Sequence, residues 1–382
     1  MKLNLEKKIN QYDLILLFIT FCCVIFGIFS IKSAVKTYEG GSSSFVIIQS
    51  FAAIAGFVAM AIVGKIDYIK YNKLTKLIYV LCTLFLIAVL VIGTGREDTG
   101  SKSWIRFGPI GIQPSEIVKI GFIITFSSAV SKFGDELNRP KNIFKLILHA
   151  STFIVLIMLQ PDFGTTMVFL VIFAGILFAA KLSWKYILGT GVIIASAVPV
   201  LWQFLAEYQK NRIRVLFNPE SDPLNAGYHV IQSKIAIGSG GFTGKGIGQG
   251  TQTQLGYLPA KHTDFIYSVI GEEMGFIGCL LVAFLLFALV LRCIYIARNS
   301  DDKFGSYICI GVACMFLAHT FENIGMCVGL MPVTGIPLPF FSYGGSSIVT
   351  NLIAIGLVLS IKRRQNDTSA SDDHDSAQKD TL

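Results

Sequence analysis

Apolar residues in this chain gather into long unbroken runs separated by short polar stretches. Runs of this kind can be read at 13–31, 44–64, 75–94, 115–132, 143–159, 163–181, 185–206, 265–292, 306–330 and 341–361. Most approach the roughly 20 residues that a helix needs to cross the bilayer hydrocarbon. None shows the apolar-polar alternation of a transmembrane barrel. The pattern predicts an all-α polytopic membrane protein of about ten spans, since only helices and closed barrels satisfy backbone polar groups in lipid. The fifth run is short, and its separation from the sixth rests on Gln160-Pro161-Asp162. One long polar segment, about 208–264, joins the seventh and eighth spans. No cleavable signal peptide is expected, because the first run after Lys7 and Lys8 is too long for an h-region. Past Arg364 the chain turns to Ser, Asp and Gln, so 1–364 reads as one membrane domain and 365–382 as a disordered cytoplasmic tail.

Charge orients these spans. Only 15% of the 382 residues are charged and 53% are hydrophobic, against roughly a quarter charged in soluble domains. With the amino terminus inside, Lys2, Lys7, Lys8, Lys65, Lys70, Lys73, Lys76, Lys132, Arg139, Lys141 and Lys145 fall on inward segments. So do Lys181, Lys185, Arg292, Arg298, Lys303, Lys362, Arg363 and Arg364. The short outward loops hold only Lys32, Lys36, Arg96, Lys102 and Arg106. The positive-inside rule therefore places both termini in the cytoplasm. It also absorbs most of the net charge of +8, and no basic stripe with interleaved aromatics points to nucleic acid. The eight cysteines lie in or beside apolar runs without a CxxC, which reads as core packing.

The outward segment is where the chemistry concentrates. Structureless loops beyond about 15 residues are uncommon, so 208–264 is expected to carry structure of its own. Val230–Ile237 has a helical apolar stripe suited to a membrane surface. The run Gly238–Gly250 is dense in glycine, which suits either an anion cradle or a flexible connector. It is not a Walker loop, because Ser239 and Gly246 stand where that motif needs Gly and Ser or Thr. Arg212, Arg214, Lys234, Lys245 and Lys261 defy the positive-inside bias and suit an anionic ligand, or anionic headgroups in general. At the end of the segment, in Lys261-His262-Thr263-Asp264-Phe265, Asp264 puts a carboxylate at the membrane boundary. An ionisable group there is a functional-site candidate by default.

A second set lies in the spans. In Gln113-Pro114-Ser115-Glu116-Ile117-Val118-Lys119, Pro114 suits a helix start and Glu116 and Lys119 share one face. They form either a structural ion pair or part of a substrate cavity. Lys102, Trp104 and Arg106 make an outward aromatic-basic patch, for interface anchoring or ligand contact. Asp162 reads as a helix N-cap, and Glu272 and Glu273 as groups facing protein or a cavity. Pro337, Pro339 and Gly344-Gly345 break the approach to the last span, so that backbone must be covered or line a cavity.

Six motifs in order resemble the SEDS family, the RodA/FtsW group. They are Gln113–Lys119 (QPSE–K), Gln160–Thr166 (QPDFGTT), the GSGG-TGKG run, Lys261–Gly278 (KHTDFIYSVIGEEMGFIG), Glu322–Met326 (ENIGM) and Gly335–Ser347 (GIPLPFFSYGGSS). Gln249–Gly256 looks more like the elongation branch (RodA) than the division branch (FtsW). The resemblance implies a ten-helix glycosyltransferase of the bacterial plasma membrane that polymerises lipid II into β-1,4 glycan with inversion. It implies a class B penicillin-binding protein as partner. Asp264 matches the family's essential aspartate, as general base or as ligand of Mg²⁺ or Mn²⁺, and Glu116 and Lys119 match its polar pair. Lys245, Lys102 and Arg106 are weaker candidates for the substrate's phosphates. The competing function is a flippase for lipid-linked precursors, for which intramembrane charge also serves.

Overall fold

Uninterrupted apolar sequence with caps at its ends gives helices, and the computed structural model is built almost entirely of them. It describes residues 13–37, 42–95, 101–107, 110–189, 196, 203, 207–224 and 226–379. Helices α1 (Leu14–Ala34), α2 (Ser42–Lys65), the short α3 (Ile69–Lys73) and α4 (Thr75–Ile92) come first. A small hairpin of β1 (Ile105–Phe107) and β2 (Ile110–Ile112) follows, pairing Arg106 with Gly111. Then come α5 (Pro114–Phe133), α6 (Pro140–Met158) and α7 (Phe163–Ala179). The polar segment folds as α8 (Glu207–Phe217), α9 (Ala226–Gly240) and the single turn α10 (Thr251–Gln254). Helices α11 (Ile266–Arg298), α12 (Lys303–Val328) and α13 (Gly345–Lys379) complete the chain.

Eight of the described helices are long and apolar enough to cross a membrane, and α7 is a shorter apolar one. The span expected at 185–206 lies mostly outside the described residues, which include its helical start at 184–189. Burial separates centre from rim: 67% of the apolar window is buried in α5 and in α12, against 22% in α2 and α4. Large exposed side chains such as Phe18, Phe51 and Phe284 ring the outside, as expected where lipid replaces water. Past Arg364 the backbone of α13 stays helical to Lys379, through the polar stretch whose composition suggested disorder.

The helix ends sort by charge. Helix α11 begins beside Asp264 and ends at Arg298, and α12 runs back from Lys303. At this basic end Asp13 caps α1 and is ion-paired with Arg292 at 2.7 Å, while Tyr68 donates to Asp302. At the opposite end the polar segment docks on protein. The stripe of α9 buries Val230, Ser233 and Ala236 against α11 and α12, with Ser233 donating to the Cys327 carbonyl at 2.6 Å. The stripe expected at a membrane surface thus packs on helices, where Ser233 also meets the Ser268 hydroxyl of α11 at 2.6 Å.

The glycine-dense run has an equally structural task. Helix α11 breaks at Gly275, which holds φ 66° and ψ −160°, a conformation that side-chain-bearing residues avoid. The break strands backbone groups, and the run satisfies them from both sides. Phe276 and Ile277 N–H groups donate to the Gly241 and Phe242 carbonyls, while Lys245 and Gly246 N–H groups donate to Glu272 and Glu273. A Cβ on Gly244 would lie 2.1 Å from the Glu273 carbonyl oxygen. Gly244→Ala is therefore expected to lower stability by about 1–3 kcal/mol or more, seen as a reduced melting temperature in detergent. An unchanged melt would show that the run does not need this approach.

Candidate functional site

Asp264 sits on a tight turn just ahead of α11, outside the spanning helix. Thr263 and Phe265 N–H groups both donate to the Ala260 carbonyl, which curls the chain before the helix begins. That turn is stitched to the irregular segment between α12 and α13. The Tyr343 N–H donates to the His262 carbonyl at 2.8 Å, and the Ser342 hydroxyl donates to the Thr263 carbonyl at 2.7 Å. A Cβ on Gly335 would lie 3.6 Å from Asp264 Oδ2, so the carboxylate faces a residue without a side chain. Burial pushes the Asp264 carboxyl up to about 6, and the positive charge of Arg212 pulls the other way. Burial also lowers the Lys261 ammonium from its ordinary range, while it donates to Thr37 Oγ1 and the Thr253 carbonyl.

The raised Asp264 value has a consequence for stability. A carboxyl whose folded pKa exceeds its unfolded value contributes stability that is complete below the unfolded value and lost as pH rises through about 6. Ionised Asp264 is thus a burden at neutral pH. Asp264→Asn is expected to melt above the wild type at pH 8, with the difference shrinking toward zero by pH ~4. A difference independent of pH would contradict the desolvation of this half-buried carboxyl.

Glu116 and Lys119 occupy the first two turns of α5, where Pro114 starts the helix. Both are nearly inaccessible, at 2% and 1% exposure. Lys119 Nζ lies 2.7 Å from Glu116 Oε1 and 2.6 Å from His319 Nε2 on α12. His319 Nδ1 is 3.2 Å from the Pro337 carbonyl. With Nδ1 as donor to that carbonyl, Nε2 is left as an acceptor for the ammonium. Glu116 Oε2 and Ser115 Oγ are buried without a hydrogen-bond partner among the described residues. Buried polar atoms in folded proteins are nearly always hydrogen-bonded, so this carboxylate oxygen is one that a water, an ion or a ligand group can satisfy.

Asp162 caps α7 by accepting from the Thr165 N–H at 3.1 Å, and Gln113 donates to its other oxygen. Glu322, one turn beyond His319, accepts from Thr334. The segment 334–337 therefore runs between two walls. His319, Glu322 and Asn323 of α12 touch it on one side, and Gly164 of α7 meets Thr334 and Ile336 on another. Glu116 and Lys119 join it through His319, and Asp264 through Asn323, which donates to both the Asp264 and Ile336 carbonyls.

Lys245 is not part of this arrangement. Its ammonium donates to Glu272 Oε1 at 2.9 Å and Thr251 Oγ1 at 2.7 Å. Glu272 also accepts from Thr253 and the Gln252 N–H, so Lys245 neutralises a buried loop anchor. Glu273 is tied to Ser33 and Gln254 in the same way. Lys102 lies just before the hairpin, with its N–H on the Gln160 carbonyl, and Arg106 is exposed within β1. The hairpin touches the start of α13, where Ser346 donates to the Gly111 carbonyl. Among the described residues, no three His, Cys, Asp or Glu side chains stand together as ion ligands. One carboxylate fits a Mg²⁺ that arrives with a substrate's phosphates, and does not fit a resident ion held by protein alone.

Charged groups buried between helices, below a carboxylate at one end of the bundle, define a multi-pass membrane protein with an internal polar site. Its family follows from comparison with known proteins. The Cell cycle protein family of FtsW, RodA and SpoVE matches residues 11–367, and the chain belongs to it. It is 38% identical over 321 residues to the peptidoglycan glycosyltransferase MrdB of Escherichia coli (strain K12), covering 83% of this chain and 85% of that one. It is 35% identical over 364 residues to a probable peptidoglycan glycosyltransferase FtsW of Geobacter sp. (strain M18), covering 94% and 98%. A solved structure described as a peptidoglycan synthase complex coordinating polymerization and crosslinking aligns with TM-score 0.80 at 31% identity, over 93% of this chain and 98% of that one. The crystal structure of the Thermus thermophilus rod shape determining protein RodA aligns with TM-score 0.70 at 26% identity, over 93% and 97%.

Proposed function

We propose that the chain is a peptidoglycan glycosyltransferase that polymerises lipid II, with Asp264 as its base. The observation that carries this reading is the half-buried Asp264 carboxylate on the turn ahead of α11, facing Gly335 at the mouth of a polar site, where desolvation pushes it up to about 6. An unperturbed Asp near 3.9 is a weak base, and desolvation brings it closer to the working pH. Lipid II presents a sugar α-linked to a polyprenyl pyrophosphate, and the product linkage is β-1,4. Asp264 takes the proton from the acceptor's 4-hydroxyl as that oxygen bonds to the donor's C1. The C1–O bond to pyrophosphate breaks in the same displacement, inverting the anomeric centre.

Charge on the departing pyrophosphate needs a counterpart. Arg212 acts electrostatically on Asp264 and stands on the same segment. Mg²⁺ or Mn²⁺, when bound, would supply charge neutralisation to the pyrophosphate; in that alternative Asp264 would be the residue that holds the ion instead of the base. Glu116 and Lys119 orient the bound substrate deeper in the site, with the unpaired Glu116 oxygen facing a ligand group. Lys102, just before the hairpin, and Arg106, within its first strand, are outer contacts.

The basic helix ends belong to the cytoplasm and Asp264 to the outer face of the plasma membrane, in keeping with the positive-inside bias. A class B penicillin-binding protein cross-links the product. The likeness to a synthase complex that couples both activities supports that pairing. Gln249–Gly256 and the similarity to MrdB favour the elongation branch.

The test supplies lipid II to the protein purified with its transpeptidase and resolves the products on a gel. Glycan polymer is the expected result. No polymer, together with lipid II translocation by the protein in liposomes, would establish a flippase instead.

A further inference from the structure

The face of α12 that meets the site carries His319 and Asn323, four residues apart and so stacked on one side of the helix. Asn323 is fully buried, at 0% exposure. Its Nδ2 donates to the Asp264 carbonyl at 2.8 Å and to the Ile336 carbonyl at 2.7 Å. An amide nitrogen has two N–H groups, so both are used, and a carboxylate of the same shape has none to offer. Pro337 and Pro339 lack an N–H, so no regular ladder forms there, and the Ile336 carbonyl is held by the Asn323 side chain of α12. One turn away, His319 makes the matching contact with Pro337 and links it to Lys119.

We propose that Asn323 is a positioning residue for Asp264. It fixes the main chain of Asp264 against segment 334–337, and so sets where the carboxylate stands relative to the acceptor sugar. The proposal rests on the reading of Asp264 as the base of glycosyl transfer. Asp264 has no regular helical pairing of its own; besides Asn323 its carbonyl meets only the weakly donating Cys327 thiol, at 3.7 Å, and the other tethers act on His262 and Thr263. Those tethers keep the turn folded when the amide is removed, but they leave the register of residue 264 looser. A displacement of about 1 Å at a reacting group costs on the order of 10²-fold in rate.

The experiment measures lipid II polymerisation by the protein with its transpeptidase, for Asn323→Ala and Asn323→Asp, each alone and combined with Asp264→Ala. The single variants are expected to lower kcat by about 10²-fold with KM within about twofold. In the Asp264→Ala background, Asn323→Ala should change the residual rate by less than about twofold, because there is no carboxylate left to position. Asn323→Thr keeps one donor and is expected to fall between wild type and Ala. It serves as the readout if the Ala variant melts below the assay temperature. Equal fold-losses in both backgrounds, or a raised KM with kcat intact, would overturn the proposal. A wild type that makes no polymer at all would count against the glycosyltransferase reading instead.

Discussion

Asp264→Ala is expected to polymerise lipid II about 10²–10⁴-fold more slowly than the wild type, the usual contribution of a general base. The loss should appear in kcat and leave KM nearly unchanged. The anchors of this turn run through backbone groups of residues 262–264, and none of them uses the Asp264 side chain. Removing the carboxylate therefore leaves the site's shape intact. A large rise in KM with an unchanged kcat would instead mark Asp264 as a ground-state contact.

The second large effect concerns stability. Lys119→Ala leaves the Glu116 carboxylate buried without its counter-ion, 2.7 Å from where the ammonium stood. It also strips the partner from His319 Nε2. Breaking a buried pair from one side costs about 3–5 kcal/mol. The double change Glu116→Gln with Lys119→Met removes both charges and is expected to recover most of that stability without recovering activity. Chemical denaturation in detergent micelles measures both. Equal stability of Lys119→Ala and wild type would mean that water reaches Glu116 and the pair is not buried.

The helical class was legible because lipid removes the ambiguity of short apolar runs, and a run of about 20 residues has few other uses. Asp264, Glu116 and Lys119 were legible for the same reason, as charges that an apolar surrounding does not tolerate without cause. Lys245 looks free in sequence, as a cation in a glycine-dense loop, whereas in the structure it pairs with Glu272 of α11. The glycines are engaged by the same helix. Their close approach is to the broken helix α11, and the break at Gly275 lies inside an apolar run where sequence offers little warning. His319 lies in no motif, and Asn323 appears within Glu322–Met326 without a role, although their spacing with Glu322 draws a polar stripe along α12. That stripe was the available signal, since a buried polar face on a membrane helix has to meet another polar group.

The central claim is that the Asp264 carboxylate, and not the shape of its turn, drives glycan formation. Single-turnover polymerisation of lipid II by wild type and Asp264→Asn, followed from pH 5 to pH 8, tests it most directly. The wild-type rate should climb through pH about 6 and level above about 7, following the Asp264 carboxyl. The Asn variant should run at least about 10²-fold lower and show no such climb. An Asn variant that matches the wild type across this range would contradict the account.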